Sequence, residues 1–151
     1  MILYPHSGTW YETTAEVMEL ANKIDHPSVG VAINLCHELR AGKGSVEDLT
    51  KTFEMAKGRI FSVLISGSLI ELDRKSVATI DASTVRPLDD SPYDLLPYMR
   101  LIKQSGFDGP VGYMNFKLTN PEDYLQRTMT VWKELCKEVG LTRHDTRPAN
   151  Q

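Results

Sequence analysis

Short apolar segments alternate with longer amphipathic ones along this chain. Four apolar segments predict buried strands, and the segment VGVAIN is apolar on both alternating faces, which is typical of a strand covered on both sides in a parallel sheet. The predicted strands are Met1–Pro5, Val29–Asn34, Ile60–Ile65 and Gly109–Phe116.

An amphipathic helix is predicted after each of these strands, because apolar residues recur there at helical spacing behind a capping residue. Residues 69–92 break this pattern with a charged, irregular stretch, which is long for a connection in a compact α/β unit and indicates a functional loop. The predicted N-terminal caps are Thr13, Ser45, Asp94 and Asn120, and the predicted stops are Pro27, Gly106 and Gly140.

The order strand then helix, repeated four times, requires parallel strands joined by right-handed helical crossovers. We therefore predict an α/β fold of four consecutive β-α units, in a single domain over residues 1–141 with a C-terminal tail over 142–151. The pattern alone fits either half of a barrel or an open, flavodoxin-like parallel sheet.

The charge balance removes some classes of partner. The 151 residues carry a net charge of −3, so neither nucleic acid nor an anionic membrane is expected to bind. No apolar stretch is long enough to span a bilayer, and the start lacks the features of a signal peptide. Cys36 and Cys136 lack metal-finger or redox spacing and are predicted to be buried, unpaired thiols, Cys36 as a packed apolar side chain, in a reducing, cytoplasmic compartment. Any upstream targeting segment would be absent from this chain.

Two of the four histidines fall at predicted carboxyl ends of strands, where ligands bind in parallel α/β folds. His6 and His37 are therefore candidate ligands of one divalent metal or a candidate acid/base pair; the alternative is that they only organise the loops by hydrogen bonding. Asn34 is a candidate substrate contact at the end of the second strand. The other candidates for substrate binding are Trp10, as a wall for sugar stacking, Arg86, Asn115 and Lys117.

The segments LYPHSG, VGVAINLCHEL, PLDDSPYDLLPYMRLIKQSGFDGPVGY and WKEL resemble the C-terminal half of the sugar phosphate isomerase/epimerase (xylose isomerase-like TIM barrel) family. The resemblance runs from about Met1 to Leu135 and implies half of a TIM (β/α)8 barrel, with these strands as strands five to eight. It also implies proton transfer next to the carbonyl of a sugar or sugar phosphate. In that family a divalent metal, such as Mn, Mg, Zn or Co, is commonly held by two glutamates, an aspartate and a histidine.

The family's metal-binding positions carry different chemistry in this sequence. The first glutamate falls near Tyr4, and the aspartate falls on Asn34, whereas the histidine that follows it is retained as His37. Leu64 stands where the third strand often has a metal-binding histidine, and Met114 stands at the second glutamate. The usual carboxylate ligands are therefore missing, and a divalent ion prefers anionic oxygen or several imidazoles.

Four strands cannot close a normal barrel, because half a barrel exposes two sheet edges and its inner face. We therefore expect the chain to associate with itself or with a missing N-terminal half-barrel. The predicted function is that of an isomerase- or epimerase-like protein acting on a small-molecule carbohydrate. The alternative is a catalytically inactive carbohydrate-binding or assembly module that kept the scaffold.

Overall fold

The computed structural model describes residues 1–69, 85–116 and 119–141. In these residues a four-stranded parallel sheet has the order β1-β2-β3-β4, so that each strand pairs with its neighbour in the sequence. The strands are β1 Ile2–Leu3, β2 Gly30–Asn34, β3 Ile60–Ile65 and β4 Val111–Tyr113.

Helices follow the strands and pack as neighbours in the order α1, α3, α4, α5. A one-turn 3-10 helix, Leu88–Asp90, precedes α4 and packs against α5. The α-helices are α1 Thr14–Ile24, α2 Leu35–Arg40, α3 Val46–Met55, α4 Leu96–Gln104 and α5 Pro121–Val139.

Local capping explains where the long helices begin. The Thr13 side chain accepts from the backbone of Glu16, whose side chain reaches back to Thr13, so the predicted capping box is present. Ser45 and Asn120 cap α3 and α5 in a similar way, because a side-chain oxygen of each accepts a hydrogen bond from a backbone N–H of the first turn. The remaining prediction was wrong by one residue: α4 has Leu95 at its N-cap, although the side chain of Asp94 still accepts from a backbone N–H of the first turn.

The hydrophobic core lies between the helices and one face of the sheet. Alternation along the strands sends Val31, Ile33, Val63 and Ile65 into this core. The alternate residues of these strands belong to the opposite face, which is the inner face of a barrel. In register, Asn34 pairs with Leu64, and Leu64 pairs with Gly112 of β4. The same face includes Ala32 and Ser62.

The strand order decides between the two arrangements that the sequence left open. A flavodoxin-like sheet places its first strand between the second and third, whereas here successive strands follow one another across the sheet. The predicted half of a TIM barrel is therefore confirmed, and the strand order excludes the alternative of an open flavodoxin-like sheet.

Other differences are local. β1 and β4 are shorter than predicted, because as the outer strands of the sheet each is hydrogen-bonded on one side only. The helix α2 was not predicted; it begins directly after β2, where the side chain of Asn34 caps it. Of the predicted irregular stretch 69–92, residues 70–84 lie outside the described residues, as does the predicted tail 142–151.

Candidate functional site

The candidate site lies at the carboxyl ends of β1 and β2. These strands are parallel neighbours, so the residues that follow them emerge on the same rim of the sheet. His6 lies on the loop after β1, and His37 lies in α2, directly after β2. Their ring centroids are 4.5 Å apart. The structure therefore brings together the two histidines that the sequence singled out.

Asn34 connects three strands at this rim. Its side chain is buried, and its Oδ1 accepts from the backbone N–H of Cys36 at 3.0 Å, which fixes the orientation of the amide. The amide nitrogen Nδ2 therefore donates. It reaches the hydroxyl of Tyr4, directly after β1, and, at 3.2 Å, the sulfur of Met114, directly after β4. We call Tyr4, Asn34 and Met114 the neutral cluster.

His37 is fully buried and held in one tautomer. The backbone N–H of Ser7 donates to His37 Nδ1 at 3.2 Å, and the Ser7 hydroxyl lies 3.1 Å from the same atom. Because Nδ1 accepts, the proton of the neutral ring is on Nε2, and Nε2 is buried with no acceptor among the described residues. Burial first, and then the charges of His6 and Arg40, lower the pKa of His37 to about 3, so the ring is neutral at pH 7.

His6 has the opposite arrangement. Its Nδ1 lies 2.8 Å from the carbonyl oxygen of Ser7, which can only accept, so Nδ1 carries a proton. In the neutral ring, Nε2 of His6 then has a free electron pair, and this side chain is exposed. The two neighbouring rings therefore differ: the free nitrogen of His37 is a donor, and that of neutral His6 is an acceptor.

A buried carboxylate anchors α2 and with it His37. Oε1 of Glu38 accepts from the backbone N–H and the hydroxyl of Thr14, at 2.7 and 2.6 Å, and so joins α2 to the first turn of α1. Burial raises the pKa of Glu38, and the two hydrogen bonds from Thr14 oppose that change. This role could not be predicted from the sequence, because Glu38 resembles any polar residue of a short helix.

The other described residues that were predicted to contact substrate follow different strands of the sheet and differ in exposure and pairing. Trp10 is 94% exposed on the loop after β1, and Asn115 is exposed after β4. Arg86 is ion-paired with Asp90, and its backbone bridges to Gly67 after β3. Lys117 lies outside the described residues.

Cys36 lies beside this site but does not have the character of a nucleophile. Its side chain is fully buried and makes no disulfide, and burial raises the pKa of its thiol to about 11. The prediction of a packed thiol fits this environment.

The donors around the two histidines do not fit a divalent cation. The neutral cluster offers a phenol, an amide whose Nδ2–H groups point at its neighbours, and a thioether, and none of these is an anionic oxygen. The free nitrogen of His37 carries a proton rather than an electron pair. Within the parts of the chain that the structure describes, no group of three or more His, Cys, Asp or Glu residues is placed to hold a metal.

Comparison with known proteins identifies the family. The model of the xylose isomerase-like TIM barrel family matches residues 2–136, and the chain belongs to this family. No curated protein gives a significant match. None of the described helices is both long enough and apolar enough to cross a membrane.

Solved structures agree on the fold. A fusion protein of a xylose isomerase-like TIM barrel with 4-hydroxyphenylpyruvate dioxygenase has a TM-score of 0.71 and 16% identity, with 91% of this chain and 22% of that chain covered. A D-tagatose 3-epimerase-like protein has a TM-score of 0.65 and 17% identity, with 92% and 46% covered. The IOLI protein, solved with a zinc atom, has a TM-score of 0.68 and 18% identity, with 87% and 46% covered. This chain thus spans less than half the length of each of these three structures.

Proposed function

We propose that this chain forms the C-terminal half of a carbohydrate-binding barrel that isomerises or epimerises a sugar or sugar phosphate by proton transfer next to a carbonyl, without a metal. The observation that carries the proposal is the pair of opposite tautomers at the rim. His6 and His37 lie with ring centroids 4.5 Å apart, and their free nitrogens have complementary roles.

Proton transfer next to a carbonyl needs both of these roles. A base removes the proton from the carbon that bears a hydroxyl beside the carbonyl, while a donor stabilises the negative charge that develops on the carbonyl oxygen. In the proposal, Nε2 of His6 takes that proton as the carbonyl becomes an enediolate, and Nε2–H of His37 donates to the oxygen. For isomerisation, the proton returns to the former carbonyl carbon while the hydroxyl proton moves between the two oxygens; for epimerisation, a proton returns to the original carbon from the opposite face. Either return restores a carbonyl, so no oxidant or co-reactant is consumed.

The rest of the rim supplies candidate contacts for the sugar. The exposed indole of Trp10 has the flat apolar face on which sugar rings stack, and the exposed amide of Asn115 can bind hydroxyl groups. Arg86 already pairs with Asp90, so its role in the proposal is to shape the rim beyond β3 rather than to bind a phosphate. Lys117 remains a proposed substrate contact. The two unpaired cysteines fit the proposed reducing, cytoplasmic compartment.

A second half-barrel is part of this proposal. Among the described residues, β1 and β4 each pair on one side only, and the chain covers less than half of the barrels reported above. A second copy of the chain, or an N-terminal half-barrel, would pair with these edges. Light scattering on the purified chain should give the mass of a dimer, and a monomer would leave the N-terminal half as the partner.

The neutral cluster favours a second candidate function. A catalytically inactive carbohydrate-binding or assembly module would also have uncharged residues, such as Tyr4, Asn34 and Met114, at the positions where the family has carboxylates. Such a module would bind a sugar, or only its own copies, with no turnover.

Deuterium uptake tests the catalytic proposal directly. The purified chain is incubated in D₂O and EDTA with a panel of pentoses, hexoses and their phosphates, and carbon-bound deuterium is followed by proton NMR. We expect uptake next to the carbonyl of at least one sugar, its loss in His6→Gln, and its retention in His26→Gln, an exposed histidine on the turn after α1. Sugar binding without uptake would favour the inactive module, and uptake that survives His6→Gln would refute the role of His6.

A further inference from the structure

We propose that the hydroxyl of Tyr4 and the Nε2–H of His37 form a neutral pair of hydrogen-bond donors that binds one oxygen of the ligand, in the place where a cation would otherwise act. This rests on the proposed function for the location of the carbohydrate site. It adds a ligand-binding role for Tyr4 and gives His37 a role as a donor rather than a metal ligand.

The free hydrogen of Tyr4 follows from the direction of a chain of hydrogen bonds. The backbone N–H of Cys36 donates to Oδ1 of Asn34, so Nδ2 of Asn34 must donate to the oxygen of Tyr4. That oxygen is then an acceptor in this bond, and its own hydrogen remains to be donated elsewhere. Tyr4 is 41% exposed, so a ligand at the rim can approach its side chain.

The second donor is fixed in the same way. The backbone N–H of Ser7 occupies Nδ1 of His37 and so keeps the proton of the neutral ring on Nε2. Nε2 is buried and has no acceptor within residues 1–69, 85–116 and 119–141, and a buried N–H without an acceptor costs free energy. A ligand oxygen that reached Nε2 would remove this cost.

The two donors belong to neighbouring elements of one rim. The rings of Tyr4 and His37 are in edge-to-face contact, with centroids 5.7 Å apart. Both follow paired parallel strands, since Leu3 is in register with Val31. Donors held in this way suit an oxygen that carries or develops negative charge, such as a carbonyl, an enediolate or a carboxylate, and they repel a cation.

Nuclear magnetic resonance can measure this pair independently of the sugar. Acetate is used as the probe, because its oxygens accept hydrogen bonds and it cannot undergo the proposed reaction. In ¹⁵N spectra of the full chain at pH 7, we expect His37 to be protonated on Nε2 alone, and we expect that resonance to move as acetate is added. Tyr4→Phe, which keeps the ring, should weaken acetate binding about tenfold, the worth of about one hydrogen bond.

Tyr11→Phe is the matched control, because it removes the same hydroxyl from a partly exposed tyrosine on the loop after β1 and should leave acetate binding unchanged. A proton on Nδ1 of His37, an unmoved Nε2 resonance, or equal affinities in Tyr4→Phe and the unmodified chain would each overturn the donor pair. Direct binding of Zn²⁺ or Mn²⁺ by His37 would overturn it as well. If acetate gives the expected response but no sugar takes up deuterium, the catalytic proposal is rejected, whereas the donor pair is retained.

Discussion

Acid should destabilise the folded chain through His37 in particular. In the unfolded chain this imidazole takes a proton near pH 6.5, whereas in the folded chain burial and the charges of His6 and Arg40 lower its pKa to about 3. Between these values the unfolded state binds one more proton than the folded state. Stability that is present above pH 6.5 is therefore lost as the pH falls towards 3.

The magnitude follows from the gap between the two pKa values. Each pH unit within the gap changes the free energy of unfolding by about 1.4 kcal/mol, and the full gap from 6.5 to about 3 corresponds to about 5 kcal/mol. This is a large part of the stability of a typical domain. The effect is substantial because the ring is fully buried, so that water cannot solvate its protonated form.

Urea unfolding at a series of pH values between 7 and 4 measures this dependence. His37→Gln should make the free energy of unfolding less dependent on pH, by about 1.4 kcal/mol per pH unit between pH 6 and 4. Taking the difference between the variant and the unmodified chain at each pH removes the shared contribution of the carboxylates.

Cys36→Ala is the control for loss of buried volume on the same turn. Its thiol does not titrate in this range, because burial raises its pKa to about 11, so this variant should be destabilised equally at every pH. If His37→Gln also lowers stability by a constant amount and leaves the pH dependence unchanged, His37 is not the buried neutral imidazole described above.

Two further predictions concern the scaffold. Gly67→Ala should lower the free energy of unfolding by at least about 1–3 kcal/mol in urea titrations, because a Cβ there would lie 2.1 Å from the backbone oxygen of Pro87. Gly112→Ala, where the nearest atom is 3.7 Å away, is the control and should change stability little; equal effects would contradict this reading. Thr13→Ala removes the capping box that Thr13 forms with Glu16 and should cost about 1 kcal/mol by thermal or urea unfolding, and an unchanged midpoint would count against the cap.

The repeated strand–helix pattern was sufficient to predict most of the elements. β2 and β3 could be recognised because they are apolar at nearly every position, as is typical of strands in parallel sheets, and α1, α3 and α5 because their caps and apolar stripes are local signals. The outer strands were predicted too long, since the length of a strand depends on its partners. The helix α2 was missed because its six residues, LCHELR, are too few to show a helical period.

The candidate site was partly predictable for a related reason. Parallel strands end on one rim, so His6 and His37 could be paired from their positions after successive strands. Their tautomers could not be predicted, because these depend on the backbone of Ser7, which is 30 residues from His37 in sequence. The anchoring of α2 by Glu38 was equally out of reach, because its partner Thr14 is 24 residues away.

Local periodicity was sufficient to predict the α/β class and the parallel direction of the strands, and residue identity was sufficient to show uncharged residues at the positions where the family has carboxylates. Three features emerge only in the folded chain: the order of the strands, the neutral cluster of Tyr4, Asn34 and Met114, and the identity of the free nitrogen in each histidine. Those features depend on which distant backbone and side-chain groups meet once the sheet has formed, and hydrogen bonds of that kind leave no pattern along the chain.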